Sequence, residues 1–284
     1  MKNLFVNFWF VAAISFLCSL SHADSKEDNL DHLLRISGLE HQIEQFPEAV
    51  RAGFLQSNDQ DENPLSEELV ALFLESAERT LLPSVILSEV RDSLRQSLDN
   101  EDIETMISWH ETDLGHRIVM AEKNASRPEA YLEILEQSES LMQDSQRMAV
   151  AVRFDELLGI TELMMEIQEV VSTAVFAAMM TALEPNQSFD LDEYRSQMQA
   201  MAPMMEAGMR QLVVLSLIYT YQDIDDASLA DYETFLNLPV AKRFNDSYAS
   251  ALAPGLIKVV KHWAADLVLV LRDYDNDQSS SAKT

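Results

Sequence analysis

Trp109-His110-Glu111-Thr112-Asp113-Leu114-Gly115-His116-Arg117 reads as the end of one amphipathic helix, a tight turn and the start of a second helix. Upstream, Ile103, Met106, Ile107 and His110 fall at i, i+3, i+4 and i+7, so His110 closes an apolar face. Asp99 and Asn100 are placed to cap that helix. Downstream, Thr112 offers a capping hydroxyl to a helix carrying Leu114, Ile118 and Ala121. The stretch returns, weakened, as Phe235-Leu236-Asn237-Leu238-Pro239-Val240-Ala241-Lys242-Arg243. Hinges of this kind predict an all-α fold of kinked helices and helix hairpins.

The composition points the same way. Only 6 Gly and 8 Pro occur in 284 residues, too few turn residues for many short strands. Apolar residues recur at helical spacing throughout. Leu39, Ile43, Phe46, Val50 and Phe54 form one stripe, and Leu69, Leu72, Phe73 and Leu81 another. Asp28 or Asn29 is expected to open the first helix, and Ser37-Gly38 to close it. The acidic stretch Ser57 to Asn63 reads as a loop, with Pro64 or Ser66 starting the next helix. Pro83 is expected to break or kink the chain, and Asn124 to Pro128 to break it again. Single helices are expected from Tyr131 to about Met148 and from about Gly255 to Tyr274.

The apolar pattern recurs along the chain. Leu33, Ile36, Leu39, Ile43, Phe46 and Val50 around Gly38 are answered 121 residues later by Phe154, Leu157, Ile160, Met164, Ile167 and Val171 around Gly159. Pro83 is answered by Pro203, and Ile103, Met106 and Trp109 by Leu229, Tyr232 and Phe235, 126 residues on. Three blocks in the same order predict two divergent copies of a multi-helix unit. The expected division is a signal peptide over 1–23, a first repeat over 24–142, a second over 143–274 and a disordered tail over 275–284.

The first residues carry an export pattern. Met1-Lys2 is a short positive start, Leu4 to Leu20 is mostly apolar, and Ser21-His22-Ala23 puts small residues where a signal peptidase reads. Cleavage after Ala23 and a periplasmic location are expected; the alternative is an uncleaved anchor. Leu17 before Cys18 argues against lipidation. Cys18 is the only cysteine, so the mature chain would have no thiol chemistry. No mature stretch reaches the ~18 uninterrupted apolar residues of a membrane span. The formal net charge is −28, from 20 basic and 48 acidic residues, which repels nucleic acid and anionic lipid.

The two hinges resemble a family of bacterial exported helical proteins known as domain of unknown function 2059. The family pattern is an acidic helix, an aromatic pair, Ser-Pro, Gly, then Lys or Arg. Trp109-His110 stands for the aromatic pair, Thr112-Asp113 for Ser-Pro, Gly115 for the Gly and Arg117 for the cation. Phe235-Leu236, Leu238-Pro239, Ala241 and Arg243 take those places in the second hinge. The first lacks the Pro; the second lacks the capping hydroxyl and the Gly. The resemblance implies an all-helical exported protein with no known activity. Read physically, Trp109, Thr112, Gly115, Arg117, Phe235, Pro239, Ala241 and Arg243 form a structural motif, not a site.

Three groups could carry chemistry. His110, Glu111, Asp113 and His116 are the densest ligand-like cluster, but six residues separate the histidines and no HExxH spacing is present. Met198, Met201, Met204, Met205 and Met209 offer thioethers to copper(I), or an adaptable apolar groove for a peptide, partner helix or acyl chain. Of these, Met198, Met201, Met205 and Met209 are the candidate groove. Acidic pairs such as Glu67-Glu68, Asp99 with Glu101-Asp102, and Asp223 with Asp225-Asp226 sit at helix starts, where capping explains them. No phosphate loop, nucleophile elbow or Ser-x-x-Lys pairing occurs. The expectation is a non-catalytic exported protein binding a partner protein or apolar ligand, with no cofactor and no metal. The alternatives are an enzyme using carboxylates or His110/His116, and a methionine-based metal-handling protein.

Overall fold

The computed structural model describes residues 25–60, 65–127, 129–183 and 191–281. The expected signal segment lies outside them. Among the described residues there is no strand, and the chain is all-α. In order it forms α1 (25–36), then α2 (Leu39–Glu44), α3 (Phe46–Gln60), α4 (Glu67–Thr80), α5 (Pro83–Ser97), α6 (Asn100–His110), α7 (Asp113–Ala125) and α8 (Ala130–Leu141). The second half gives α9 (Ser145–Leu158), α10 (Ile160–Leu183), α11 (Leu191–Thr220), α12 (Asp226–Leu236) and α13 (Pro239–Ser281).

Caps set most of these boundaries. Ser66 accepts from Leu69 N at the start of α4, and Asp99 and Asp102 close a capping box at the start of α6. Thr112 caps α7, Asp144 caps α9 and Asp225 caps α12. Gly38 and Gly159 are the only described residues with positive φ, at 79° and 63°. Each lets a helix stop and a new one start at once, in a conformation that costs an L side chain energy.

Several expected boundaries move. α1 begins at residue 25, ahead of Asp28, and Gln45 splits the stripe of Leu39 to Phe54 into α2 and α3. α3 continues through Ser57 to Gln60, where a loop was expected. The single helix expected over Tyr131 to Met148 is two helices, because Asp144 turns its side chain onto the N–H groups of Gln146 and Arg147 and starts α9. α13 starts at Pro239 and passes Tyr274 to end at Ser281, so the expected helix from Gly255 is its central part.

The two prolines at equivalent places behave differently. Leu82, held extended ahead of Pro83, ends α4, and Pro83 becomes the first residue of α5. Pro203 lies inside α11, which runs on without a break. A proline there removes the helical partner of the Gln199 carbonyl; both residues are exposed, so water can replace it.

The buried side chains form one continuous core drawn from both halves, from Leu30 and Leu33 of α1 to Trp263 and Leu267 of α13. α13 is its axis: it packs on α4, α5 and α6 from the first half and on α10 and α12 from the second. α11 packs on α7, α8, α9 and α10. The two sequence blocks are therefore not separate bodies.

Candidate ligand cavity

The two hinges follow the same backbone course 126 residues apart. α6 and α12 each have 11 residues. Glu111 ends one at φ −80°, ψ −5°, and Asn237 ends the other at φ −81°, ψ −8°. Thr112 N donates to Trp109 O at 3.0 Å, and Leu238 N donates to Phe235 O at 2.9 Å. His116 N donates to Thr112 O as Lys242 N does to Leu238 O. The second hinge replaces the Thr112 cap with Pro239 as the first helical residue.

The motif residues meet across the molecule. Trp109 and Phe235 stack with ring centroids 3.7 Å apart and planes 6° from parallel. Gly115 sits so close to the end of α6 that an added Cβ would clash with the Trp109 carbonyl oxygen and lie 2.8 Å from His110 Cα. Ala241 is fully buried. Arg117 donates to Ser228 Oγ at 2.8 Å and pairs with Asp225, in the first turn of α12. Arg243 pairs with Asp102, in the first turn of α6. Each arginine thus meets an acid at the start of the helix that leads into the other hinge, not the end of its own preceding helix.

Between the hinges lies a cavity of about 490 Å3, partly open to solvent. Its wall is apolar and aromatic: Met106, Trp109, Ile118, Leu163, Met164, Tyr221, Tyr232, Phe235, Phe244 and Tyr248 contribute. The size falls within the roughly 300–1,000 Å3 of small-molecule sites. Glu122, His110, Tyr221 and Tyr232 are among the polar side chains of this wall. Tyr221 Oη donates to Glu122 Oε1 at 2.7 Å, and Tyr232 Oη donates to the same oxygen at 3.1 Å. His110 Nδ1 lies 2.7 Å from Met106 O; a carbonyl only accepts, so Nδ1 carries the proton. No lysine or arginine lines the cavity.

Burial sets the protonation of this cluster. It pushes the Glu122 carboxyl up from its ordinary value, against the lowering effect of the two tyrosine hydroxyls. Burial and the neighbouring Glu122 charge push Tyr221 and Tyr232 well up, and burial alone raises Tyr248 to about 12. Burial pushes His110 down, opposed by its bond to Met106, so the neutral imidazole is favoured.

The candidates named from sequence are partly assembled here. Trp109, His110 and Phe235 are in the wall. Glu111, Asp113 and His116 are exposed, and Glu111 turns instead to His32 Nε2 at 3.2 Å. Among the described residues no three His, Cys, Asp or Glu side chains are placed to hold one metal ion. Met198, Met201, Met205 and Met209 lie along α11 and none lines the cavity; Met201 is exposed and Met209 packs on the core. The methionines of the wall are Met106 and Met164. Asp99 and Asp225 act as caps, as their positions implied.

Sequence reading missed Glu122, Tyr221 and Asp155. Glu122 follows Ile118 by four residues, so an acid stands in the apolar stripe of α7; that was a signal. Asp155 is fully buried beside Gly159, accepting from Thr161 N at 2.8 Å, Thr161 Oγ1 at 2.7 Å and Arg210 at 3.2 Å. It pins the α9–α10 turn where Leu34 packs at the matching place in the first half. Comparison of the chain with family models, with curated proteins and with solved structures finds no match.

Proposed function

We propose that the protein is a non-catalytic, exported helical protein that binds a small apolar ligand in the cavity between its two hinges. The cavity itself carries the reading: it has the volume of a ligand site and a largely apolar, aromatic wall that includes the cluster of Glu122, Tyr221 and Tyr232. The wall holds no lysine or arginine to stabilise developing negative charge, which supports binding over catalysis.

Export rests on the pattern of residues 1–23. Amino-terminal sequencing of the protein recovered from the export compartment is expected to begin at Asp24. Descent of both halves from one unit, related to the exported family the hinges resemble, is supported by the shared hinge geometry and by the reciprocal arginine contacts. Such contacts are those of a two-fold interface, in which residue i of one copy meets j of the other and j meets i.

Binding is tested with phenylnaphthylamine, a neutral apolar dye whose fluorescence rises in apolar surroundings. One dye per chain is expected, with binding lost in Leu163→Trp and in Ala249→Trp, each of which fills the cavity. No binding by the natural chain, or binding that both variants leave intact, overturns the reading.

A further inference from the structure

Two polar atoms in the cavity wall, Glu122 Oε2 and His110 Nε2, are acceptors that no described residue donates to. The two tyrosine hydroxyls close on Glu122 Oε1 and leave Oε2 free. His110 uses its Nδ1 proton on Met106 O, so its Nε2 presents a lone pair. Among the described residues the only side-chain polar atoms sealed away without a partner are Arg91 Nε and Trp263 Nε1. Glu122 Oε2 and His110 Nε2 therefore remain accessible, and both residues line the cavity.

The charge of the wall is one-sided. Glu122 is a carboxyl with no lysine or arginine beside it in a wall otherwise free of charge. A half-buried carboxyl in such an apolar wall is costly until something neutralises it. An anionic ligand, such as a free fatty acid, would meet acceptors and a like charge. A ligand that donates hydrogen bonds and brings a positive charge would satisfy both acceptors and neutralise the carboxylate. The rings of Trp109, Tyr221, Tyr232 and Phe235 would receive it favourably, since a cation is drawn to an aromatic face. The net charge of −28 concentrates cations near the mouth.

Resting on the cavity reading above, we propose that the occupant is an organic cation, a primary ammonium on an apolar body. Its N–H groups donate to Glu122 Oε2, and its body lies along the Trp109–Phe235 wall. Glu122 sets the preference for the cation; the aromatic wall supplies affinity that depends on the apolar body alone.

Isothermal titration of the purified protein at neutral pH with octylamine, octanol and octanoate separates these contributions, since the three share one chain and differ in charge. Octylamine, protonated at this pH, is expected to bind at least ~10-fold more tightly than octanol, with octanoate weakest. Glu122→Gln is expected to abolish the preference for octylamine and leave octanol binding in place. Equal affinity for octylamine and octanol would leave an apolar-ligand site standing and overturn the cation. So would a preference for octylamine that survives in Glu122→Gln, because the general surface charge would then be its source. Tightest binding of octanoate would also overturn it. No binding of any of the three would remove both the cation and the cavity reading. The comparison of ligands on the natural chain does not depend on the variant folding.

Discussion

Trp109 and Phe235, 126 residues apart, stack face to face with ring centroids 3.7 Å apart. Each closes the helix before its hinge, so one contact joins the two hinges and forms part of the cavity wall. Phe235 is buried, and its loss would leave a void against Trp109, His110 and Tyr232. Phe235→Ala is expected to cost about 3–5 kcal/mol by denaturant unfolding. A double-mutant cycle with Trp109→Leu should return a coupling of about 0.5–1.5 kcal/mol for the ring pair. Additive effects would mean that the stack contributes only through burial.

Gly115 and Ala241 hold equivalent places with unequal room. A Cβ at 115 meets backbone, the Trp109 carbonyl oxygen and His110 Cα, which cannot swing aside as a side chain can. Gly115→Ala is expected to lose about 1–3 kcal/mol as α6 and α7 are forced apart. Ala241→Gly, in an α-helix, should cost only about 0.5–1 kcal/mol through chain entropy. Thermal unfolding of both variants checks the order; a neutral Gly115→Ala would show that the hinge opens freely.

Asp102 has two tasks at the start of α6, accepting from Asp99 N and pairing with Arg243. Arg243 is half-exposed, and such pairs contribute little. Arg243→Ala is therefore expected to cost under about 1 kcal/mol, and Asp102→Ala more, because it also opens the capping box. Equal losses in the two variants would assign the whole effect to the ion pair.

The sequence reading succeeded where local chemistry decides. The caps Ser66, Asp99 and Thr112, the break at Gly38 and the buried face ending in His110 were all legible from residue type and spacing. It failed where distant parts decide. No local signal shows that Pro203 stays helical while Pro83 starts a helix; exposure of α11 settles that. That Arg117 and Arg243 find Asp225 and Asp102, each in the other half of the chain, needs the packed core. The cavity was out of reach for the same reason. It forms where α2, α6, α7, α10, α11, α12 and α13 converge, and Glu122 meets its partners only when Tyr221 and Tyr232 arrive from nearly 100 residues away or more.

Glu122 gives the sharpest test of the buried cluster. Its carboxyl is held above the ordinary value of 4.5 by burial, so the folded chain keeps this proton at pH values where the unfolded chain has released it. The contribution of Glu122 to stability is therefore fully present below the unfolded value and is lost as pH rises through the raised folded one. Tyr221, just after α11, and Tyr232 of α12 face it, are pushed up and stay neutral across this range. His110 acts in the other direction: burial lowers it, so its contribution is present above its ordinary 6.5 and falls on acidification. That response is shared by the natural chain and Glu122→Gln, and it cancels in their difference. Glu122→Gln, which keeps an oxygen for both hydroxyls, is expected to melt at or below the natural chain at pH 4. It should melt above it at pH 8, with the gap opening between. Melting curves across that range check this. A difference that does not change with pH would mean that water reaches the carboxyl in the folded chain and that the cavity does not isolate it.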